Sequence, residues 1–412
     1  MHGTNRRFDL GDAVVSLRVP SYRAWFLSQV ASTSGVFVQS VGVAWLVLQL
    51  GGNAIDLALV SAATFGPVFF GGVWAGGLAD RVDRRRLLLT TQVLFLLVAV
   101  SLLVVSVTGA AQLWILYVVS FAAGCVLAID GPARQVYPLD LVGAERAASA
   151  VGLYEVVQNL SRVLGPALGG VLIATSGVSA CFLANALSFL FPIAALLLYR
   201  PDARPGPAVL APARGHLRAG LGYVRRSPAI RATMLMAIAS GMVFNAGVTL
   251  PLLATRVFHL GAAGFGAMFA IFGVGAVGGA LLAAGGGSWP AGRRVRLLAL
   301  LTGGDIVLTA FAPDVVAAFV GLALAGMLSI WFIALANTLV QVRTAPTLRG
   351  RVMGIWTMAI PGMNPATGLL AGATALALGP RAGFALGGVA LAVTAGLGWA
   401  ALADGAPHPA DA

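Results

Sequence analysis

Long apolar runs separated by short polar breaks repeat along the whole chain. A helix crossing a bilayer needs about 20 predominantly apolar residues, and the runs have that length. Reading the breaks at Gly, Pro and charge clusters predicts helices near 22–50, 56–79, 86–109, 112–136, 147–174 and 178–200. A second set follows near 229–255, 262–286, 294–312, 315–341, 350–378 and 381–402. Hydrocarbon offers no water to backbone N–H and C=O groups, so the expected fold is all-α, with twelve transmembrane helices. Residues 201–228 interrupt the series: Pro201, Pro205, Pro207 and Pro212 precede a basic stretch with Leu217, Leu221 and Val224 on one face. The pattern predicts a cytoplasmic linker ending in an amphipathic helix on the inner leaflet. It divides the chain into six-helix units at 1–200 and 229–412. A weak internal repeat supports the division, because the basic loop at 135–146 echoes that at 341–351.

Composition agrees with lipid as the solvent. Of 412 residues, 59% are hydrophobic and 10% charged, and the mean hydropathy is +0.91. One water-soluble globule cannot hide that much apolar surface. The formal charge of +12 resides in short Arg clusters between apolar runs, so a cytoplasmic membrane face accounts for it and nucleic acid is not an expected partner. With the N-terminus inside, every Arg except Arg162, Arg256 and Arg381 falls on the cytoplasmic side, which puts both termini there. Dropping one helix would carry Arg293, Arg294 and Arg296 to the wrong face. All 26 basic residues are Arg, which excludes a Walker A loop and a Schiff-base lysine, and no His, Cys or Ser constellation occurs at membrane depth. The chain is not expected to be an enzyme. Cys125 and Cys181 read as small buried hydrophobes, and the N-terminus lacks the short apolar core of a cleaved signal. The connections at 51–55, 110–111 and 176–177 are too short to fold, so a monomer without external protein partners is expected.

The stretch Gly76-Gly77-Leu78-Ala79-Asp80-Arg81-Val82-Asp83-Arg84-Arg85-Arg86 carries six charges in eleven residues between two apolar runs. Its Gly-x-x-x-Asp-Arg-x-x-Arg-Arg pattern resembles the signature loop between helices 2 and 3 of the major facilitator superfamily. The wording Ala-Asp-Arg-Val-Asp-Arg-Arg-Arg is similar to the branch that holds enterobactin and macrolide exporters, with Asp83 where the superfamily commonly has Gly. A decayed copy at 289–294 keeps Arg293 and Arg294 but has Trp289 and Pro290 in place of Asp-Arg. The resemblance implies two related halves around a central site. It also implies a conformational gate built from Gly76, Asp80, Arg81, Arg84 and Arg85, with Asp80 latching the N-terminal end of helix 11 near Arg349 and Arg351. A second resemblance lies in predicted helix 5, where Gly152, Ser161, Gly165, Pro166, Gly169 and Gly170 match the antiporter motif of drug exporters, with Ser161 replacing a Gly. Gly and Pro kink that helix and permit close approach to another, with the Gly273, Gly275, Gly278 and Gly279 helix as the expected partner.

Charges inside predicted helices are costly and therefore presumed functional. Asp130, Glu155 and Arg162 are the candidates for proton coupling, either sharing protons or pairing with Arg162; the alternative is a structural salt-bridge set locking helices 4 and 5. Asp305 on helix 9 reads as a packing residue. By the family resemblance, helices 1, 4, 7 and 10 line the cavity, which points to Gln29, Ser32, Asn245, Trp331 and Asn337, with Trp356, Met358, Met363 and Asn364 from helix 11. Trp25, Trp45, Trp114 and Trp399 read as interfacial anchors. The function expected is export of an amphipathic small molecule, drug-like or siderophore-like, across the bacterial inner membrane by proton antiport. Membrane lipid surrounds the protein, the proton gradient supplies energy, and no bound cofactor is needed. Nutrient uptake and a transport-inactive scaffold or sensor are the alternatives.

Overall fold

The computed structural model describes residues 15–79, 82–199, 216–244, 246–285, 292–345 and 348–402. Asp80, Arg81, Asn245, Trp289, Pro290 and the Pro-rich part of the linker lie outside the described residues. Among the described residues every regular element is helical. The long helices are α1 (Pro20–Gln49), α2 (Ala54–Ala79), α3 (Arg84–Val107), α4 (Leu113–Val142), α5 (Ala147–Ser176) and α6 (Val178–Leu198). In the second set, α7 begins at Pro228–Phe244 and continues through Ala246–Leu252 and Leu253–Val257. The remainder are α8 (Ala262–Gly285), α9 (Gly292–Ala310), α10 (Val315–Arg343), α11 (Arg349–Leu378) and α12 (Pro380–Leu397). Ten spans are long and apolar enough to cross a membrane; α9, which carries Arg293, Arg294, Arg296 and Asp305, and α11 fall short among the described residues.

Local chemistry sets the ends. Asp83 is the N-cap of α3, its carboxylate accepting from the Arg86 backbone N–H at 2.8 Å, and Asp314 caps α10 through the Ala317 N–H at the same distance. A Gly at φ 83° (Gly177) separates α5 from α6, and a Gly at φ 94° (Gly379) separates α11 from α12. These left-handed conformations suit Gly alone among common residues, and they stand at equivalent places in the two halves.

Helix packing repeats with a shift of six. In the first half α1 packs on α5 and α6, α2 on α4, and α3 on α4 and α6; in the second α7 packs on α11 and α12, α8 on α10, and α9 on α10 and α12. The halves meet through α5 with α8 and α2 with α11. Lipid supplies no hydrophobic drive between helices, so close backbone approach carries these contacts. A Cβ at Gly170 would lie 2.7 Å from Gly266 Cα and 3.0 Å from the Ala262 carbonyl oxygen. A Cβ at Gly372 of α11 would lie 2.7 Å from the Ala54 carbonyl oxygen of α2.

Both crossings lie toward the end away from the Arg clusters. There, one apolar core runs through all twelve helices, including Val47, Leu57, Phe182, Leu250, Phe265 and Leu322. At the basic end each half has its own core: Tyr22, Trp25, Leu88 and Tyr137 in the first, Ile230, Val295, Phe332 and Trp356 in the second. Neither α4 with α11 nor α5 with α10 forms a packed pair among the described residues. The halves are thus joined at one end and separate at the other.

The helix His216–Arg226 is amphipathic, as expected, but it docks on protein. Val224 is buried in the second half's core, the site of a Cβ on Gly220 is 2.9 Å from Ile355 Cδ1, and the Tyr223 hydroxyl accepts from the Ala345 N–H at 3.3 Å. Only Leu221 of the described apolar residues on that face remains exposed. Replacing Gly170 by Ala should destabilise the protein by about 1–3 kcal/mol through overpacking against backbone. Gly152→Ala, with open space around its Cβ, should be neutral or stabilising. Thermal unfolding in detergent measures both; equal midpoints would remove the close-packing explanation.

Candidate functional site

On α4, Asp130 and Arg134 are one turn apart and share a face. Asp130 is fully buried, and its Oδ2 pairs with Arg134 Nε at 2.5 Å. The remaining carboxylate oxygen accepts from Thr91 Oγ1 at 2.6 Å and Gln92 Nε2 at 2.9 Å, both on α3. Arg134 reaches across to α1, donating from NH1 to Gln29 Oε1 at 3.1 Å. One ion pair thereby links three helices, with charge-assisted hydrogen bonds on both partners. Arg134, assigned to the cytoplasmic side by the sequence pattern, sits inside the bundle because α4 runs six residues further than expected. Asp130 does not pair with Arg162: Arg134 is nearer on its own helix. Gln29 and Ser32, expected to line the cavity, are both buried in this region. Gln29 Nε2, Gln92 Oε1 and Ser32 Oγ have no partner among the described residues.

The polar layer continues onto α5. Tyr154 shares a hydrogen bond with Gln158 and lies within electrostatic range of Arg134, Asp130 and Glu155. Glu155 and Arg162 also interact electrostatically, two turns apart on one face. The faces of α5 are well separated. Ser161, Gly165 and Gly169 pack on α1, with Ser34 Oγ donating to Ser161 Oγ at 3.1 Å, while Val163, Pro166 and Gly170 pack on α8. Leu160, Leu164, Leu168 and Val171 are exposed on the opposite side, toward lipid. By helical periodicity Glu155 and Arg162 fall between the α1 and α8 faces, and both are solvent-accessible. They therefore line the space between the halves. Gly273 meets Val163 of α5 as expected, but Gly275 and Gly279 serve α10, against the carbonyls of Ala323 and Met327, and Gly278 touches only Met327.

Two arginines of the signature loop have partners within the first half. Arg84 NH1 binds both oxygens of Asp140, at 3.0 and 3.1 Å, tying α3 to the end of α4. Arg85 Nε donates to the Leu196 carbonyl at 2.7 Å, capping α6. Both arginines act within the first half. Gly76 is in the last turn of α2, while the Asp80 latch, with Arg81, lies outside the described residues. Arg349 is exposed, and Arg351 packs beneath Gly220 of the surface helix.

The second half repeats the α6 cap with another residue. Arg296 of α9 donates to the Trp399 carbonyl at 2.8 Å and stacks 3.5 Å above the Trp399 ring, at the end of α12. The sequence copy was read at Arg293 and Arg294, one turn too early. Trp399 is thus clamped, Trp25 is buried edge-on to Tyr137, and only Trp114 stands exposed as an anchor without a counterpart ring. Of the expected cavity residues, Trp356 is buried in the second half's core, Trp331 packs against that core, and Met363 and Asn364 are half-buried. Asn337 is half-exposed and accepts from Gln341 Nε2. The side chain of Met358, with Asn245, is outside the described set. Asp305 has an unpartnered Oδ2 on α9, which packs between α10 and α12.

Removing one partner of a buried pair leaves an uncompensated charge, worth about 3–5 kcal/mol. Arg134→Ala should therefore lower the unfolding midpoint strongly, while Asp130→Asn with Arg134→Gln should recover most of the loss. A double variant as unstable as the single would show that the ion pair is not what Arg134 supplies.

Comparison with known proteins agrees with this geometry. Residues 12–403 match the family described as transmembrane secretion effector. The staphyloferrin A transporter of Staphylococcus aureus is 29% identical over 160 residues, 39% of this chain, and the match spans only 40% of that transporter's length. The enterobactin exporter EntS of Shigella flexneri is 28% identical over 343 residues, 82% of this chain and 81% of that one. Among solved structures, a bacterial homologue of the lysosomal transporter Spinster, in an inward-facing and occupied conformation, superposes with TM-score 0.71 at 14% identity, covering 93% of this chain and 96% of that one. The nucleoside transporter NupG superposes with TM-score 0.69 at 12% identity, covering 92% and 99%. These likenesses share the twelve-helix fold, and the chain belongs to the transmembrane secretion effector family of the major facilitator superfamily, a multi-pass membrane transporter and not an enzyme.

Proposed function

We propose that this transporter exports a mid-sized amphipathic molecule, siderophore-like in chemistry, in exchange for protons. The observation that carries the reading is the buried Asp130–Arg134 pair beside the Glu155 and Arg162 wall. A charge inside a membrane helix is retained for a task, and Asp130 is a buried carboxylate with a single guanidinium as its counter-ion. Protonating Asp130 leaves Arg134 held only by Gln29 and free to turn toward the cavity, so the packing of α1, α3 and α4 depends on whether that carboxyl is charged. An anionic or polar substrate competes for Arg162 in the space between the halves. The names of the staphyloferrin A and enterobactin relatives support a siderophore-like substrate, and that of the enterobactin exporter supports an outward direction. The Arg distribution supports a cytoplasmic basic end in the bacterial inner membrane, which makes the present separation of the halves an inward-facing one. Uptake and a transport-inactive scaffold account less well for these charges.

Everted vesicles bearing the protein should accumulate a fluorescent catecholate in the presence of a proton gradient and lose it when the gradient collapses. Asp130→Asn should cut accumulation about 5- to 150-fold, the range of ordinary site-to-site coupling. Arg162→Gln should act mainly on substrate affinity. Full gradient-driven accumulation in Asp130→Asn would falsify the carboxylate mechanism.

A further inference from the structure

At the joined end of the bundle, a cleft of about 360 Å³ opens between the last turn of α1 and the last turn of α7, one from each half. That volume is within the range of small-molecule sites. Trp45, Leu48 and Gln49 line one side, Thr255 and Arg256 the other. The backbone presents Arg256 by an unusual route: α7 ends in a π-type turn at Leu253–Val257, closed by Phe258 N–H to Leu253 C=O at 3.0 Å and Leu260 N–H to Ala254 C=O at 2.7 Å. Such wide turns concentrate at functional positions. Arg256 is exposed, and no carboxylate pairs with it among the described residues. The nearby acids are already engaged. Asp56 accepts from the Tyr117 hydroxyl at 2.6 Å and the Asn53 N–H at 2.7 Å, and Asp314 caps α10. Arg381, the other arginine at this end, donates to the Ala312 carbonyl at 3.1 Å. Trp45 stacks on Phe265 of the other half with ring centroids 6.3 Å apart, so the aromatic wall is itself formed across the junction.

We infer that this cleft is a binding site for an aromatic or otherwise apolar carboxylate, held by Arg256 and Gln49 through its anion and by Trp45 through its ring. A guanidinium with no carboxylate partner among the described residues and an indole lining the same cleft supply the two contacts such a ligand needs. Both walls are present together only while α1 and α7 are joined. A ligand there binds one conformation and not the other, and so holds the joined end shut. On the export reading above, that end faces outward, and accumulated anionic product on the outside slows further turnover.

Purified protein in detergent, titrated with 1-naphthoate, tests the site without any assumption about transport. The unfolding midpoint should rise with 1-naphthoate and not with the neutral 1-naphthamide. Arg256→Gln should weaken the apparent affinity at least about tenfold, and Trp45→Leu should weaken it by a smaller factor. Equal shifts from acid and amide, or an unchanged affinity in Arg256→Gln, would overturn the assignment. In everted vesicles, 1-naphthoate sealed in the lumen should slow catecholate accumulation by wild type and leave Arg256→Gln unaffected. Equal slowing of both overturns the regulatory role. Absence of accumulation in either, with the detergent result intact, overturns the export reading and leaves the site standing.

Discussion

A carboxylate with no exposure inside a membrane-spanning bundle must be paired or protonated, and Asp130 is paired. Its dependence on Arg134 organises the first half. Thr91 and Gln92 must stand on one face of α3, Gln29 must point from α1, and α4 must extend beyond the length of a plain crossing to bring Arg134 within reach. Among the described residues the second half shows no equivalent ion pair, and α10 offers Asn337 and Gln341 instead. The two halves repeat in their packing and differ in their chemistry.

The halves meet at a joint, which small residues supply. Gly170 against Gly266 and Gly372 against Ala54 let helices of different halves touch backbone to backbone without interlocked side chains. At the basic end the described residues of each half form a core of their own. The Arg84–Asp140, Arg85–Leu196 and Arg296–Trp399 contacts brace helices within each half.

The apolar pattern made the helices legible because lipid permits so few alternatives: all twelve helix starts fall within two residues of expectation. The Ala-Asp-Arg wording of the loop identified the superfamily. Partners were far less legible. Asp130 was singled out by its depth, yet its partner was sought on α5 at Arg162, because Arg134 was counted with the cytoplasmic arginines although it stands one turn along the same helix. Asp83 looked like a defect in a motif and is a helix cap. Arg84 and Arg85 looked like a gate and are internal braces, because charge near a helix end is spent first on the nearest carbonyl or carboxylate. Arg296 and Asp140 were missed, although an i, i+4 or end-of-helix search around each arginine cluster would have raised both. Gln29, Ser32 and Trp356 were placed in the cavity by helix number alone, and rotation about each helix axis decided otherwise.

The central claim is that the charge state of Asp130 sets the balance between the two arrangements of the halves. It can be measured directly as a distance across the basic end. Spin labels at Glu145→Cys and Arg349→Cys, in a background with Cys125 and Cys181 replaced, report that separation in reconstituted membranes as pH is lowered. The distance distribution should shift with pH in the wild-type sequence and stay fixed in Asp130→Asn. The same pH-driven shift in both proteins would contradict a coupling through Asp130.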